Sequence, residues 1–370
     1  MAISQIGSKP LGERLESIDA LRGMAALYIL LYHLALIPQP NLIVPRWARS
    51  FVLTGGTAVS MFFIVSAFCL CLSMGFRKQE PQITLQFYLR RFFRIAPLFY
   101  VWIVISLVRD KFWLGVTHSW TDVLLSVFFG FNFVPGKQEG FVWASWILSI
   151  QMVFYLLFPI IYRYVNNCSK SLGFFFLTLL TAAGYTIIIT YLPIPDFQRP
   201  AFLQFSFLRH LPFFALGMVA FFLYDRFIQG KFRPRSWAVA WVAASIFGYT
   251  ALLSGRLTIL FNDFYWQGVI YSGLLLGLSI SPLWLFVNRM TRFYGKISYS
   301  IYLNHPTLVF ALIPVYRIIY GVYVPTTFQY GACLLLTLGL LTVLSYLTYR
   351  FIEEPGRRLG NRLIKNIPSP

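Results

Sequence analysis

The 370-residue chain is 58% hydrophobic and only 12% charged, with 38 Phe, 22 Tyr and 10 Trp. Soluble domains average about 45–50% apolar and about 25% charged residues, so an ordinary soluble fold is excluded. The net charge of +19, from 31 Lys and Arg against 12 Asp and Glu, would suggest nucleic acid in a soluble protein. Here the basic residues lie between long apolar runs, which makes them markers of membrane topology instead, with anionic lipid or substrate as a second use.

Residues 1–17 hold Lys9, Glu13, Arg14 and Glu16 without an apolar core or a small-residue cleavage site. They read as a cytoplasmic tail, not a signal peptide. A helix needs about 20 mainly apolar residues to cross the hydrocarbon core. Runs of that kind predict spans at 22–38, 52–75, 94–109, 143–162, 172–192, 207–225, 236–254, 265–287, 297–320 and 327–350. The apolar piece from Asp122 to Val134 is short and is interrupted by Gly130 and Asn132. If it does not cross, the cytoplasmic loops and ends collect 22 of the 31 Lys and Arg. Counting it as a span would put the dense clusters at 226–235 and 350–365 outside, against the positive-inside rule. The expectation is therefore an all-α polytopic bundle of about ten spans with both termini cytoplasmic and 122–134 at the outer surface. The tail 351–370 follows the last span, and no loop is long enough to fold alone, so residues 1–370 read as a single membrane domain. Cys69, Cys71, Cys168 and Cys333 lie in or beside apolar runs without metal-like spacing and are expected to be unpaired.

Ionisable residues inside a membrane are expensive and mark function. On the first span, Arg22 and His33 are eleven residues apart, close to three turns, so they share a face about 16 Å apart along the axis. Gly23, Ala25 and Ala26 allow close packing of a neighbour, and Asp19, one turn before Arg22, can pair with it. Arg22 then sits at the cytoplasmic mouth, placed to hold an anion. His33 sits past the midplane, where a neutral imidazole can take a proton from a hydroxyl. Arg22 also reads as a positive-inside anchor and His33 as a hydrogen-bonded core residue. Arg90, Arg91 and Arg94 open the third span and can grip phosphates or anchor topology. Trp143, Ser145, Trp146, Ser149 and Gln151 form a polar start to the fourth, where interfacial anchoring accounts for the Trp residues but not for Gln151. His305 precedes Pro306 in the ninth, as either a structural histidine at a proline kink or a second functional one. His118 and His210 have no polar company in the sequence and read as core or interfacial. There is no Gly-rich phosphate loop, no His-Glu-x-x-His and no Cys-x-x-Cys, so no metal is expected. No pair of acids lies inside a span, which weakens a case for proton-coupled transport.

Arg22 and His33, with Ile18-Asp-Ala-Leu-Arg-Gly23, resemble the signature of the acyltransferase 3 family of integral-membrane O-acyltransferases. Four later stretches follow in that family's order: Phe62–Phe68, Arg90–Pro97, Trp146 through Phe154–Pro159, and Ser298–His305, closed by Arg350–Pro355. The set spans nearly the whole chain. Ala67 stands where the family often has Gly. Gln151 stands where it often has Glu, and an amide can position a substrate but cannot act as acid or base.

The resemblance implies transfer of an acyl group, usually acetyl from acetyl-CoA, to a hydroxyl of a cell-surface carbohydrate such as lipopolysaccharide O-antigen or another lipid-linked glycan. The setting it implies is a multi-pass protein of the cell inner membrane, in contact with membrane lipid and not with nucleic acid. Some relatives carry an extracytoplasmic esterase-like domain; without one, this chain is expected to complete the reaction within the bundle. Arg22, Arg90, Arg91 and Arg94 are the expected coenzyme-binding residues. His33 is expected to act as base or acyl carrier, with Arg22, His305 and Gln151 as further members of the catalytic set. The rival readings are a transporter or flippase of a glycolipid or acyl compound, and a scaffold subunit of an envelope complex.

Overall fold

In hydrocarbon an unpartnered backbone N–H or C=O costs several kcal/mol, so apolar runs of spanning length must close their hydrogen bonds within each segment. The structure, a computed structural model, describes residues 15–77, 80–229, 235–255 and 263–367, and among them there is no strand. The chain order is α1 (Glu16–Leu36), α2 (Arg49–Leu53), α3 (Ala58–Phe76), α4 (Ile83–Arg109), α5 (Trp120–Val127), α6 (Trp146–Tyr164), α7 (Cys168–Tyr191) and α8 (Arg199–Phe205). It continues with α9 (Phe207–Gln229), α10 (Arg235–Leu253), α11 (Asp263–Ile280), α12 (Arg289–Lys296), α13 (Ser298–Ala311), α14 (Ile313–Gly321), α15 (Thr326–Thr348) and α16 (Glu354–Lys365).

Among the described residues, eight helical stretches are long and apolar enough to cross a membrane. The other two expected spans take different forms. Phe264–Ile280 is a shorter apolar helix, and 297–320 is divided into α13 and α14 around Leu312, where Pro314 removes a helical N–H. As expected, 122–134 does not cross: it forms the eight-residue α5 and a single 3-10 turn, Gly130–Phe133. Large apolar side chains stay exposed along the spanning helices, among them Val104 and Val108 on α4, Leu180 and Ile187 on α7, and Leu335 on α15. Such a surface suits lipid contact.

Two departures from the expected boundaries matter for the site. The third span begins at Ile83, not at residue 94, so Arg90, Arg91 and Arg94 lie two to three turns inside α4. Hydropathy reads charged residues as loop, but here Arg90 pairs with Glu80 and Arg91 lies over the rings of Phe87 and Tyr155. The expected tail after residue 350 is also helical: a π-turn, Tyr349–Glu353, leads into α16, which packs on α4 where Gly356 meets Pro97 and Gly360 meets Phe93.

At the centre stands α1, flanked by two apolar cores. Ile18, Leu21, Ala25 and Ile29 pack toward α3, α4, α6 and α9, whereas Ala26, Leu30 and Leu34 pack toward α13, α14 and α15. Its first half lies against α12 at backbone contact. A Cβ on Gly23 would overlap the Thr291 carbonyl, and one on Gly295 the Asp19 carbonyl. Gly295→Ala is therefore expected to force these helices apart, destabilising the protein by about 1–3 kcal/mol, the usual range for overpacking. The check is the melting midpoint of purified Gly295→Ala in detergent against Gly339→Ala, a helical glycine with nothing near its Cβ position.

Candidate active site

The start of α1, α12, α16 and the first half of α4 gather at one end of the bundle, the end that holds both described termini. There Arg22 donates from Nη2 to Cys69 Sγ on α3 at 3.4 Å. All four cysteines are free. Arg91 lies over the rings of Phe87 (5.8 Å) and Tyr155 (5.5 Å). Arg22 shares its electrostatic surroundings with Asp19, Glu353 and Tyr155, and both Arg91 and Arg94 feel its charge. Arg357 of α16 adds a fourth guanidinium beside Arg94. Four arginines against Asp19 and Glu353 leave a net positive cluster. Arg91 Nε is buried without an acceptor, and a buried donor without a partner is costly. Phosphate oxygens would satisfy both the charge and that donor, so the residues present fit the phosphates of a coenzyme.

Arg90 is set apart from this cluster. Its Nη2 meets Glu80 Oε2 at 2.7 Å and also reaches Gln86. Gln151 sits on α6 one turn before Tyr155; its amide donates to Ser66 Oγ and to Tyr155 Oη (2.6 Å). It thus joins the ring that covers Arg91, and among the described residues it makes no hydrogen bond to a histidine.

The other end of α1 carries the second half of the site. His33 Nδ1 and His305 Nε2 are 2.7 Å apart, with ring centroids at 4.9 Å and planes inclined by 24°. His305 is fully buried, and its Nδ1 lies 3.1 Å from the Ile301 carbonyl. A carbonyl only accepts, so His305 Nδ1 carries the proton and Nε2 the lone pair. His33 Nδ1 must then donate to it, which leaves the lone pair of the neutral His33 ring on Nε2. Two imidazoles locked in this order present one defined base. The helix that carries His305 is itself pinned: Asn304 accepts from Trp102 Nε1 (2.9 Å) and donates to Ser345 Oγ (3.2 Å) and Thr348 Oγ1 (3.0 Å).

Three features escaped sequence reasoning. Glu353, assigned to a tail, is buried and accepts from Ser300 Oγ at 3.3 Å; an acid closing the last span just before Pro355 was the available signal. Cys69 and Tyr155 lie in plain apolar runs and gave none. The third is a correction. His118, read as lacking polar company, is 2.7 Å from Asp110 Oδ2, whose Oδ1 takes the Arg109 Nε–H at 2.7 Å. Arg109 also donates to Thr307 Oγ1 (2.8 Å) and lies 3.8 Å over the Trp143 ring. The π-turn Asp110–Leu114 continues α4 and returns the chain toward Asp110, which the linear pattern does not reveal. His210 is a core histidine as expected, bonded to the Gln204 carbonyl and packed among Phe63, Trp146, Phe213 and Phe264.

Fold and site together define a multi-pass membrane protein with a guanidinium cluster and a hydrogen-bonded imidazole pair at opposite ends of one helix. The chain belongs to the acyltransferase 3 family: the family profile described as "Acyltransferase domain" matches residues 15–346. Among curated proteins it is similar to the O-acetyltransferase OatA of Staphylococcus aureus, strain NCTC 8325 / PS 47, at 25% identity over 394 residues, covering 96% of this chain and 59% of the relative. The same values hold for OatA of Staphylococcus aureus strain MRSA252. The chain thus spans about three-fifths of the length of these relatives. No solved structure matches it significantly.

Proposed function

We propose that this chain is a membrane O-acetyltransferase that moves an acetyl group from acetyl-CoA to a hydroxyl of a cell-surface carbohydrate. Lipopolysaccharide O-antigen is the acceptor we expect, and the cell inner membrane the location. The observation that carries this reading is the His33–His305 pair, whose hydrogen bonds leave a lone pair on His33 Nε2 while the guanidinium cluster lies about 16 Å away along α1. The relatives named O-acetyltransferase support the acetyl group, and the excess of Lys and Arg at the end that carries the termini supports entry of the donor from the cytoplasm.

Coenzyme A supplies the acetyl group as a thioester. Arg22, Arg91 and Arg94 hold the phosphates. At the far end His33 Nε2 takes the proton of the attacking hydroxyl as its oxygen bonds to the thioester carbonyl, and returns that proton to the coenzyme A thiolate that leaves when the C–S bond breaks. As a carrier, Nε2 itself would displace the thiolate and then pass the acyl group to the hydroxyl. His305 fixes the His33 tautomer and receives part of the developing positive charge through the 2.7 Å hydrogen bond. Gln151 and Tyr155 roof the arginine end.

The test is incubation of purified protein with acetyl-labelled acetyl-CoA and a lipid-linked glycan. Alkali-labile label on the glycan is the expected result. Movement of the glycolipid across a vesicle membrane with no label transferred would sink the reading in favour of a transporter.

A further inference from the structure

At the end of the bundle opposite the arginines lies a cavity of about 270 Å³ that none of the steps above uses; its wall includes His118, Asp122, Lys137, Glu139, Phe131 and Phe141. We propose that this cavity binds a neutral polyhydroxylated ligand, a sugar, and is where the acceptor docks. The second half of that statement rests on the acyl-transfer reading; the first does not.

The chemistry of the wall selects the ligand. His118 Nε2 meets the Asp110 carboxylate, which only accepts, so a ring proton is held there and Nδ1 is the nitrogen left for a ligand. Asp122 is already committed: Lys137 reaches Oδ1 at 2.7 Å, and the N–H and hydroxyl of Ser119 reach Oδ2 at 3.1 and 2.7 Å. Burial pushes the Asp122 carboxyl up, but these hydrogen bonds hold it below the usual carboxylate range. Lys137 has ammonium protons beyond the one directed at Asp122. Glu139 is exposed, and its carboxylate has no hydrogen-bond or ion-pair partner among the described residues. The Phe141 ring stacks on His118 at 4.4 Å and adds carbon surface beside these polar groups.

An acceptor at Glu139, donors at Lys137, the free ring nitrogen of His118 and a nearby aromatic face suit hydroxyl groups, which both give and take hydrogen bonds, on a ring with apolar C–H faces. A phosphate would meet two carboxylates against a single lysine. An acyl chain would desolvate four polar groups with nothing in return.

A short path joins this wall to the histidine pair. Ala144 follows Phe141 by three residues, at most about 11 Å of extended chain. Its carbonyl accepts the Tyr302 hydroxyl at 2.8 Å, and the Tyr302 ring lies 5.7 Å from His305. Ala144 holds φ +62°, a left-handed conformation that costs a non-glycine residue energy, and the hydrogen bond from Tyr302 restrains this turn.

Binding can be read without turnover. In saturation-transfer NMR with the full chain in nanodiscs, methyl α-D-glucopyranoside is expected to bind the wild type and His33→Ala alike. Glu139→Gln, an exposed and isosteric change that keeps an acceptor oxygen but removes its charge, and His118→Phe, which keeps a ring against Phe141 but removes both nitrogens, should each weaken it by about five- to tenfold, the effect of losing charge assistance or one hydrogen bond. In acetylation assays Glu139→Gln should raise KM for the glycan without changing KM for acetyl-CoA. The assignment is overturned if the wild type gives no signal, if both cavity variants bind as the wild type does, or if glucose 1-phosphate binds more tightly than the neutral glycoside. Glycoside binding that responds to Glu139→Gln in a protein without acetyl transfer would keep the sugar site and remove the enzymatic reading.

Discussion

Replacing His33 with Ala is expected to lower acetyl transfer by about 10²- to 10⁴-fold, the range that a positioned general base supplies. The protein should still insert and fold, because His33 is only partly buried and its one side-chain hydrogen bond among the described residues is to His305. His305→Gln should cost less than His33→Ala. A glutamine carbonyl can accept from His33 Nδ1 and preserve the tautomer, although it cannot share positive charge. Initial rates on purified variants decide this; a His33→Ala protein retaining more than about a tenth of wild-type activity would contradict any base or carrier role. Mass spectrometry of the wild type with donor and no acceptor separates the two roles, since only a carrier gains an acetyl group on the His33 peptide.

Arg94→Ala should raise KM for acetyl-CoA by about 10- to 100-fold with a smaller change in kcat, because a charge-assisted hydrogen bond is worth about 1.5–3 kcal/mol. Arg91→Ala should behave similarly, with an added packing loss from Phe87 and Tyr155. Arg90→Ala is the internal control. Its charge is already answered by Glu80, so a much smaller effect is expected there. Equal effects at all three positions would point to general surface attraction of an anion, and no effect at any of them would return the arginines to a topological role.

How much was legible in the sequence differs between helices for identifiable reasons. Arg22 and His33 lie on one uninterrupted apolar run, so their shared face follows from helical pitch and survives in α1. Arg90, Arg91 and Arg94 hid the start of α4 because hydropathy counts a guanidinium the same whether it meets water, Glu80 or an aromatic ring. The break between α13 and α14 was signalled by Pro314, but an apolar run of full length outweighed it. His33 and His305 are 272 positions apart, and no local pattern in a single sequence reports such a contact. Asp110 and His118 are only eight apart, yet their meeting depends on the π-turn after α4 and the reversal that follows it. Buried Glu353 was missed for a similar reason: the π-turn Tyr349–Glu353 changes helical phase where a uniform helix or a tail was assumed.

Because α1 is held between two cores and met by α12 at backbone contact, under the proposed function its length would act as a fixed ruler. A donor with a shorter or longer reach between its anionic handle and its reactive carbonyl would stop short of the imidazole or overshoot it. One extra residue in α1 between Arg22 and His33 would lengthen the ruler by only about 1.5 Å but turn the imidazole by about 100°. Tolerance to insertions here should therefore follow helical phase more closely than distance, with a four-residue insertion gentler in orientation than a two-residue one.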